Sequence, residues 1–223
     1  GADPFPPVLP TVHDKAKSCD KPLCEACLLG KQHRRTPGSV TVKAKPEMEM
    51  AIRREALHPG DCLSLDQYES AVRGRLPHSY GKEKVSSRLV GGTIAVDHAS
   101  GYVFLRNQQT LRAGDTVRSL REFQKEASQS SVSFKRFHAD NFPFDSTEFK
   151  DHLQSDPGHP IALDFSGVGA HHQNAVAERA VKTISYLARS MLLHQLLHWP
   201  AAFDLKNWPS AMEQAVFLYN HMP

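Results

Sequence analysis

The stretch RLVGGTIAVDHASGYVFLRNQQT, residues 88–110, decides the fold, because it predicts two β-strands joined by a turn. Apolar and β-branched residues fill both arms, and the turn-forming residues DHASG separate them. The preceding segment DCLSLDQYES, residues 61–70, alternates apolar and polar residues and predicts another strand, ending near Asp66 or just past it. The polar residues 71–88 predict an exposed hairpin or loop. Three strands therefore meander at the start of this region.

Helices and strands alternate after these three strands. The predicted elements are a helix at 112–129, a strand at 132–140, a short helix at 146–154, a strand at 159–167, a long helix to about His194 and a last helix after Pro209. The first of these helices should bury Val117, Leu120 and Phe123. Such alternation predicts parallel crossovers, so the expected fold is an α/β layered structure with a mixed sheet.

Composition sets broad limits on the kind of protein. Hydrophobic residues make up 40% and charged residues 23% of the chain, which is typical of a soluble globular protein. No apolar run approaches the ~20 residues that a membrane span needs, so we expect no membrane partner. The formal charge is +3, and the surplus lies in residues 1–60, with 10 Lys+Arg and 7 Asp+Glu. A basic N-terminal segment followed by a domain of no net charge is typical of DNA-binding proteins, although many other proteins share this charge distribution.

The chain divides into three parts by composition. Residues 1–35 form an N-terminal Cys-containing segment, 36–60 a Pro-containing linker and 61–223 the main domain. Three of the four cysteines fall within nine residues, and the tight pair Cys24 and Cys27 is more typical of a metal clip than of a structural disulfide. We therefore expect a reducing environment.

Three acidic residues are placed where strands end and a helix begins. Asp66 and Asp140 follow predicted strands, and Glu178 starts the long helix within GVGAHHQNAVAERAVKTI, residues 167–184. Acids from separate elements suit a site in which two divalent ions stabilise the attacking and leaving oxygens of a phosphodiester. The alternative is that both aspartates occupy ordinary turns and Glu178 pairs with Lys182 at i,i+4. Asp97 and Asp164 have simpler local explanations and are not expected to bind metal.

The motifs around these acids resemble those of retroviral and retrotransposon integrases. HADN with EF eight residues after Asp140, and HHQNAVAERAVKTI around Glu178, are similar to family motifs. The 37 residues between Asp140 and Glu178 are close to the family spacing of about 35. GKQHR after CEAC and the terminal WPSAMEQAVFLYNHMP resemble the Ty1/copia class in particular. The family usually has Gly after Asp-Asn, where this chain has Phe142-Pro143.

The resemblance implies a ribonuclease H-like five-stranded sheet and a polynucleotidyl transferase that inserts retrotransposon DNA into target DNA. Asp66, Asp140 and Glu178 would then be the catalytic acids, holding two Mg²⁺ or Mn²⁺ ions. Its partners would be element-end DNA, target DNA and further copies of the chain, as a dimer or tetramer. The enzyme would be made within a larger polyprotein and act in the nucleus.

The resemblance also implies DNA contacts and a zinc site. The expected DNA-binding residues are Lys182, Gln173, Asn174, His171, His172, Arg179 and Arg189, although Asn174 is equally plausible as a helix N-cap. Cys24 and Cys27 match the Cys half of the family's zinc site, for which His13 and Cys19 are off-pattern additional ligands. The alternative function is that of a domesticated or decayed copy that binds DNA without cutting it. A ribonuclease H-fold nuclease of another family is disfavoured by the Cys pair and the terminal YNHMP.

Overall fold

Five strands form one mixed sheet with helices on both faces. The computed structural model describes residues 24–31, 57–76, 84–140, 142–155, 160–166 and 174–221. Its elements are α1 (Glu25–Gly30), β1 (Leu63–Gly74), β2 (Leu89–Asp97), β3 (Val103–Gln108), α2 (Ala113–Ser128), β4 (Arg136–Ala139), α3 (Thr147–Gln154), β5 (Ala162–Phe165), α4 (Ala175–His198) and α5 (Trp208–His221). Within these ranges no helix is both long and apolar enough to cross a membrane.

The strand order is β3-β2-β1-β4-β5. The first three strands pair antiparallel, whereas β1, β4 and β5 run parallel. This topology confirms the meander followed by parallel crossovers. Because β4 and β5 run parallel, their carboxyl ends lie on the same side of the sheet, along the line where these strands end.

The two faces of the sheet carry separate apolar cores. One core lies under α2 and α3, and Leu120, Phe123 and Phe137 are fully buried in it. The other lies under α4 and α5 and includes Ile94 and Ile184. The predicted inner face of α2 is confirmed, because its apolar side chains recur every three or four residues and all are buried.

Two elements are longer than predicted. β1 continues to Gly74 because it stays paired with β2 beyond Asp66, with an irregularity between Glu69 and Gly74. The residues predicted as a loop after position 70 are therefore partly strand. α4 continues one turn past His194, to His198, and ends before Pro200, which cannot continue a helix.

The terminal motif has a structural role at the open edge of the sheet. Asn220 accepts a hydrogen bond from the Val103 N–H (2.9 Å) and donates one to the Val103 carbonyl (2.8 Å). Its amide thus satisfies backbone groups on β3 that a further strand would otherwise pair. The Asn of the YNHMP motif thereby fastens α5 to the sheet.

The N-terminal segment contacts the main domain through α1. A Cβ added at Gly30 would lie 2.1 Å from Ser190 Oγ, so α1 and α4 approach closely there. Most of the predicted linker lies outside the described residues. Its last residues already bond to the domain, since the Gly60 N–H donates to Asp97 Oδ1 (2.9 Å) and the Gly60 carbonyl accepts from the Lys135 N–H (2.9 Å).

Candidate active site

Asp66 and Asp140 each follow one member of a residue pair that joins two neighbouring parallel strands. The register pairs Leu65 of β1 with Ala139, the last residue of β4, and the next residue of the chain after each is one of the two acids. Adjacent strands are about 5 Å apart. Leu65 faces the core under α2, so alternation along β1 directs Asp66 to the opposite face of the sheet, which α4 and α5 cover.

Asp66 is not at the end of its strand. It lies where the recorded pairing of β1 with β4 stops after Leu65, while β1 itself continues along β2. The predicted position is therefore corrected: Asp66 ends the parallel pairing rather than the strand.

The electrostatics of Asp66 connect it to the other two acids. Burial raises the pKa of Asp66 to about 6, the Gln67 N–H bonded to its Oδ1 (2.8 Å) opposes that rise, and the charges of Glu178 and Asp140 add to it. Asp66 therefore lies within electrostatic range of both. Three acids far apart in sequence share one region of the fold.

Asn174 anchors the start of α4 beside Asp66. Its Nδ2 donates to the Leu65 carbonyl (2.9 Å), and its side chain is only 2% exposed. Asn174 occupies the predicted N-cap position of α4, although its side chain makes no capping hydrogen bond, and its DNA contact stays a prediction. Glu178 is one turn further along the same side of α4, and the anchor therefore holds that turn near β1.

Basic side chains continue from Glu178 along the exposed side of α4. Arg179, Lys182 and Arg189 are exposed. The Lys182 ammonium lies 5.8 Å from the centre of the Tyr186 ring. Among the described residues no ion pair joins Glu178 to Lys182, so the simple salt-bridge alternative is not formed. His171, His172 and Gln173 lie outside the described residues.

The three acids fit a divalent cation by donor type and charge. Carboxylate oxygens are the hard ligands that Mg²⁺ prefers. No three His, Cys, Asp or Glu side chains within the described ranges are close enough to form a ligating cluster. The three carboxylates are thus near enough to repel one another electrostatically but too far apart to bind one ion together. A cation bound between them would offset that repulsion.

Cys24 and Cys27 lie at the start of α1, and both thiols are exposed. A hydrogen bond from the Cys27 backbone lowers the pKa of Cys24, while the side-chain bond between the two thiols raises the pKa of Cys27. The pair is therefore close enough to share one ion. The additional ligands considered above, His13 and Cys19, lie outside the described residues, so the zinc site stays a prediction.

The two aspartates set aside from the sequence have structural partners. Asp97 is 3% exposed and accepts from the Gly60 N–H and from the backbone and hydroxyl of Ser100. Asp164 lies on β5 and pairs with Arg136 (3.4 Å). Both carboxylates are therefore used within the fold.

Comparison with solved structures identifies the architecture. The sequence matches no family model and no curated protein. A chain of the simian T-cell lymphotropic virus intasome, bound to the PP2A regulatory subunit B56 gamma, is 18% identical with a TM-score of 0.56, over 78% of this chain and 52% of that one. The HTLV-2 integrase catalytic core domain in complex with magnesium, in its trimeric form, is 20% identical with a TM-score of 0.50, over 75% and 89%.

The chain has the fold of a retroviral integrase catalytic core. The predicted ribonuclease H-like mixed sheet is thereby confirmed. The chain spans about half the length of the simian virus chain that it matches. At this level of identity the likeness concerns the fold, and assignment to the Ty1/copia class stays a prediction.

Sequence analysis missed two polar residues beside the acids. Gln67 directs its side chain away from Asp66, to the face covered by α2, and its Nε2 donates to Thr116 Oγ1 (2.8 Å). The sequence could have indicated these two residues, because each is polar at a position that the spacing of apolar residues predicts to be buried. Gln67 continues the alternation of Leu63 and Leu65, and Thr116 lies next to Val117.

Proposed function

We propose that this domain is an integrase catalytic core, a polynucleotidyl transferase that cleaves and joins DNA phosphodiesters. The observation that carries the proposal is that Asp66 and Asp140 follow the paired residues Leu65 and Ala139 of an integrase-type sheet, and that the charges of Asp140 and Glu178 both raise the pKa of Asp66. Grouped carboxylates with perturbed protonation are typical of functional sites rather than of structural turns.

The acids have distinct contributions to this chemistry. Asp66, Asp140 and Glu178 would hold Mg²⁺ or Mn²⁺, which stabilises charge on the attacking and leaving oxygens of the phosphodiester. Asp66 binds a cation as the carboxylate, so cation binding should weaken as the pH falls through its pKa of about 6. Asp140 and Glu178 supply the remaining negative charge from a neighbouring strand and from α4.

The exposed side of α4 supplies the DNA contacts. Lys182, Arg179 and Arg189 follow Glu178 within three turns, and their positive charges can bind phosphates on either side of the reacting bond. Such contacts position the backbone without reading its sequence. The substrates we propose are a retrotransposon DNA end and target DNA in the nucleus, handled by a homo-oligomer.

A strand-transfer assay tests the proposal. A labelled oligonucleotide duplex with a free 3′-hydroxyl, incubated with target DNA and Mn²⁺, should be joined by the wild-type chain. Asp140→Asn and Glu178→Gln should reduce joining at least about 100-fold, the scale expected when a transition-state charge contact is removed. Asp164→Asn is the matched control, because this carboxylate lies on the next parallel strand but pairs with Arg136. Joining by Glu178→Gln at the wild-type rate would refute the proposal.

The same assay separates a non-catalytic DNA-binding module from an enzyme. A module would bind the duplex without joining it in any divalent cation. Binding by Glu178→Gln should match or exceed that of the wild type, since the substitution removes a negative charge beside the phosphate contacts. Loss of both binding and folding in this variant would indicate a structural role for Glu178.

A further inference from the structure

Asp66 lies between two residues that are each tied to a different helix. The preceding residue, Leu65, accepts a hydrogen bond from Asn174 at the start of α4. The following residue, Gln67, donates its side-chain amide to Thr116 in the first turn of α2. The backbone N–H of Gln67 also donates to Asp66 Oδ1 (2.8 Å), so the position of residue 67 determines how that carboxylate is oriented.

The bond between Gln67 and Thr116 joins a half-buried amide to a buried hydroxyl. Thr116 is fully buried, and its hydroxyl donates to the Arg112 carbonyl (3.1 Å) while accepting from Gln67. The hydroxyl therefore has no rotational freedom without breaking one of the two bonds. Leaving the Gln67 amide without an acceptor would cost desolvation energy, which keeps this part of β1 in one place.

A second pair in the same layer repeats this chemistry away from Asp66. One turn along α2, Ser119 accepts from Gln108 Nε2 (2.8 Å) and donates to the Asp115 carbonyl (3.1 Å). Gln108 lies on β3, the edge strand, which is separated from β1 by β2. Both pairs fasten α2 to the sheet, but only Gln67 is adjacent to a proposed metal-binding acid.

We infer that Gln67 and Thr116 are positioning residues that hold the Asp66 carboxylate ready for the cation. This inference rests on the proposed function. Without the hydrogen bond between Gln67 and Thr116, residue 67 can shift, and its N–H then no longer fixes Asp66 Oδ1. Part of the binding energy of the cation would then be used to order the Asp66 carboxylate. Residues that orient metal ligands in this way typically contribute about 10-fold to metal affinity.

The test measures cation binding by thermal stabilisation, which needs no catalytic turnover. The melting temperature of each variant is recorded against Mn²⁺ concentration, and strand transfer is measured in parallel. Thr116→Val removes only the hydroxyl and should raise the half-maximal Mn²⁺ concentration about 10-fold. Thr116→Ser restores the hydroxyl and should return to within about twofold of wild type. Ser119→Ala removes the equivalent hydroxyl and should bind Mn²⁺ as the wild type does.

A double variant covers the case in which Thr116→Val fails to fold. Gln67→Met with Thr116→Val replaces both polar partners of this bond by apolar groups of similar volume, so no amide is left without its acceptor. It should fold and show the same loss of Mn²⁺ affinity. Equal Mn²⁺ affinity in this variant and in Ser119→Ala would overturn the inference.

The outcomes separate this inference from the proposed function. If the wild type shows no Mn²⁺ stabilisation, the metal site and its positioning residues are both refuted. If Mn²⁺ binds and depends on Thr116 but no DNA is joined, the positioning role holds and the transferase proposal fails. If joining depends on Mn²⁺ while Thr116→Val and Ser119→Ala respond alike, only the positioning role fails.

Discussion

Replacing Asp66 by Asn should stabilise the fold at neutral pH in the absence of divalent cations. Burial and the charges of Glu178 and Asp140 raise the pKa of Asp66 to about 6, above the unfolded value of about 3.9. The folded state therefore binds more protons than the unfolded state between about pH 4 and pH 6. The free energy of unfolding must fall as pH rises through this window, and the full penalty is present above it.

The size of this penalty follows from the shift. Two pKa units correspond to about 3 kcal/mol at most, and the Gln67 N–H loses a charged acceptor in the variant, which offsets part of the gain. We expect Asp66→Asn to raise the free energy of unfolding by about 1–3 kcal/mol at pH 7.5. For a domain of this size the melting temperature should rise by several degrees.

Urea denaturation with EDTA at pH 4.5 and pH 7.5 measures the effect. The free energy of unfolding of the variant should exceed that of the wild type mainly at pH 7.5. The dependence of this free energy on urea concentration should be the same in both proteins. Asp164→Asn is the control, and its exposed pair with Arg136 should be worth less than about 1 kcal/mol. A variant no more stable than the wild type at pH 7.5 would refute the electrostatic account. Added Mn²⁺ should reduce the difference, because only the wild type retains all three acids.

Three further substitutions test other parts of the structure. Lys182→Ala should weaken DNA binding and reduce the slope of log affinity against log salt by about one, measured by fluorescence anisotropy; an unchanged slope would exclude a phosphate contact. Asn220→Ala should lower the free energy of unfolding measured with urea by about 1–3 kcal/mol, because two backbone groups of Val103 lose their partner. An unchanged free energy would mean that the Asn220 hydrogen bonds do not stabilise the edge strand β3. Gly30→Leu should detach α1 from Ser190 and speed proteolysis at residues 24–31, whereas unchanged protection would contradict the contact.

The layered fold could be predicted because its signals are local and periodic. Val117, Leu120 and Phe123 recur at helical spacing and are buried, and α3 begins after Ser146, whose side chain accepts from the Phe149 N–H. The length of β1 could not be predicted, because its polar second half is held by pairing with β2. The spacing of apolar residues along a sequence indicates which positions are buried. Strand pairing between exposed polar residues changes that spacing little, so the sequence does not predict it.

The acids of the site could be predicted, but the residues that hold them could not. Asp140 follows β4 and Glu178 lies in the first turn of α4, close to where the sequence predicts an element to end or begin, whereas Asp66 lies inside β1. Asn174 shows the limit: its type suits an N-cap or a DNA contact equally, and only the distance to the Leu65 carbonyl assigns it to the fold. Hydrogen bonds between residues distant in sequence, such as Gln67 with Thr116, depend on how the layers stack.

The most direct test of the central claim is a crystal structure of the chain with Mn²⁺, with the ion located by anomalous scattering. Our account predicts manganese beside Asp66 and Asp140, with oxygen ligands from Asp66, Asp140 and Glu178, and with the Asn174 and Gln67 bonds intact. The ion requires its oxygen ligands within about 2–2.5 Å, so the three carboxylates must move closer than they are without a cation. Manganese bound elsewhere, with any two of the carboxylates still more than about 10 Å apart, would contradict the account, because two-metal chemistry needs ligands around ions about 4 Å apart.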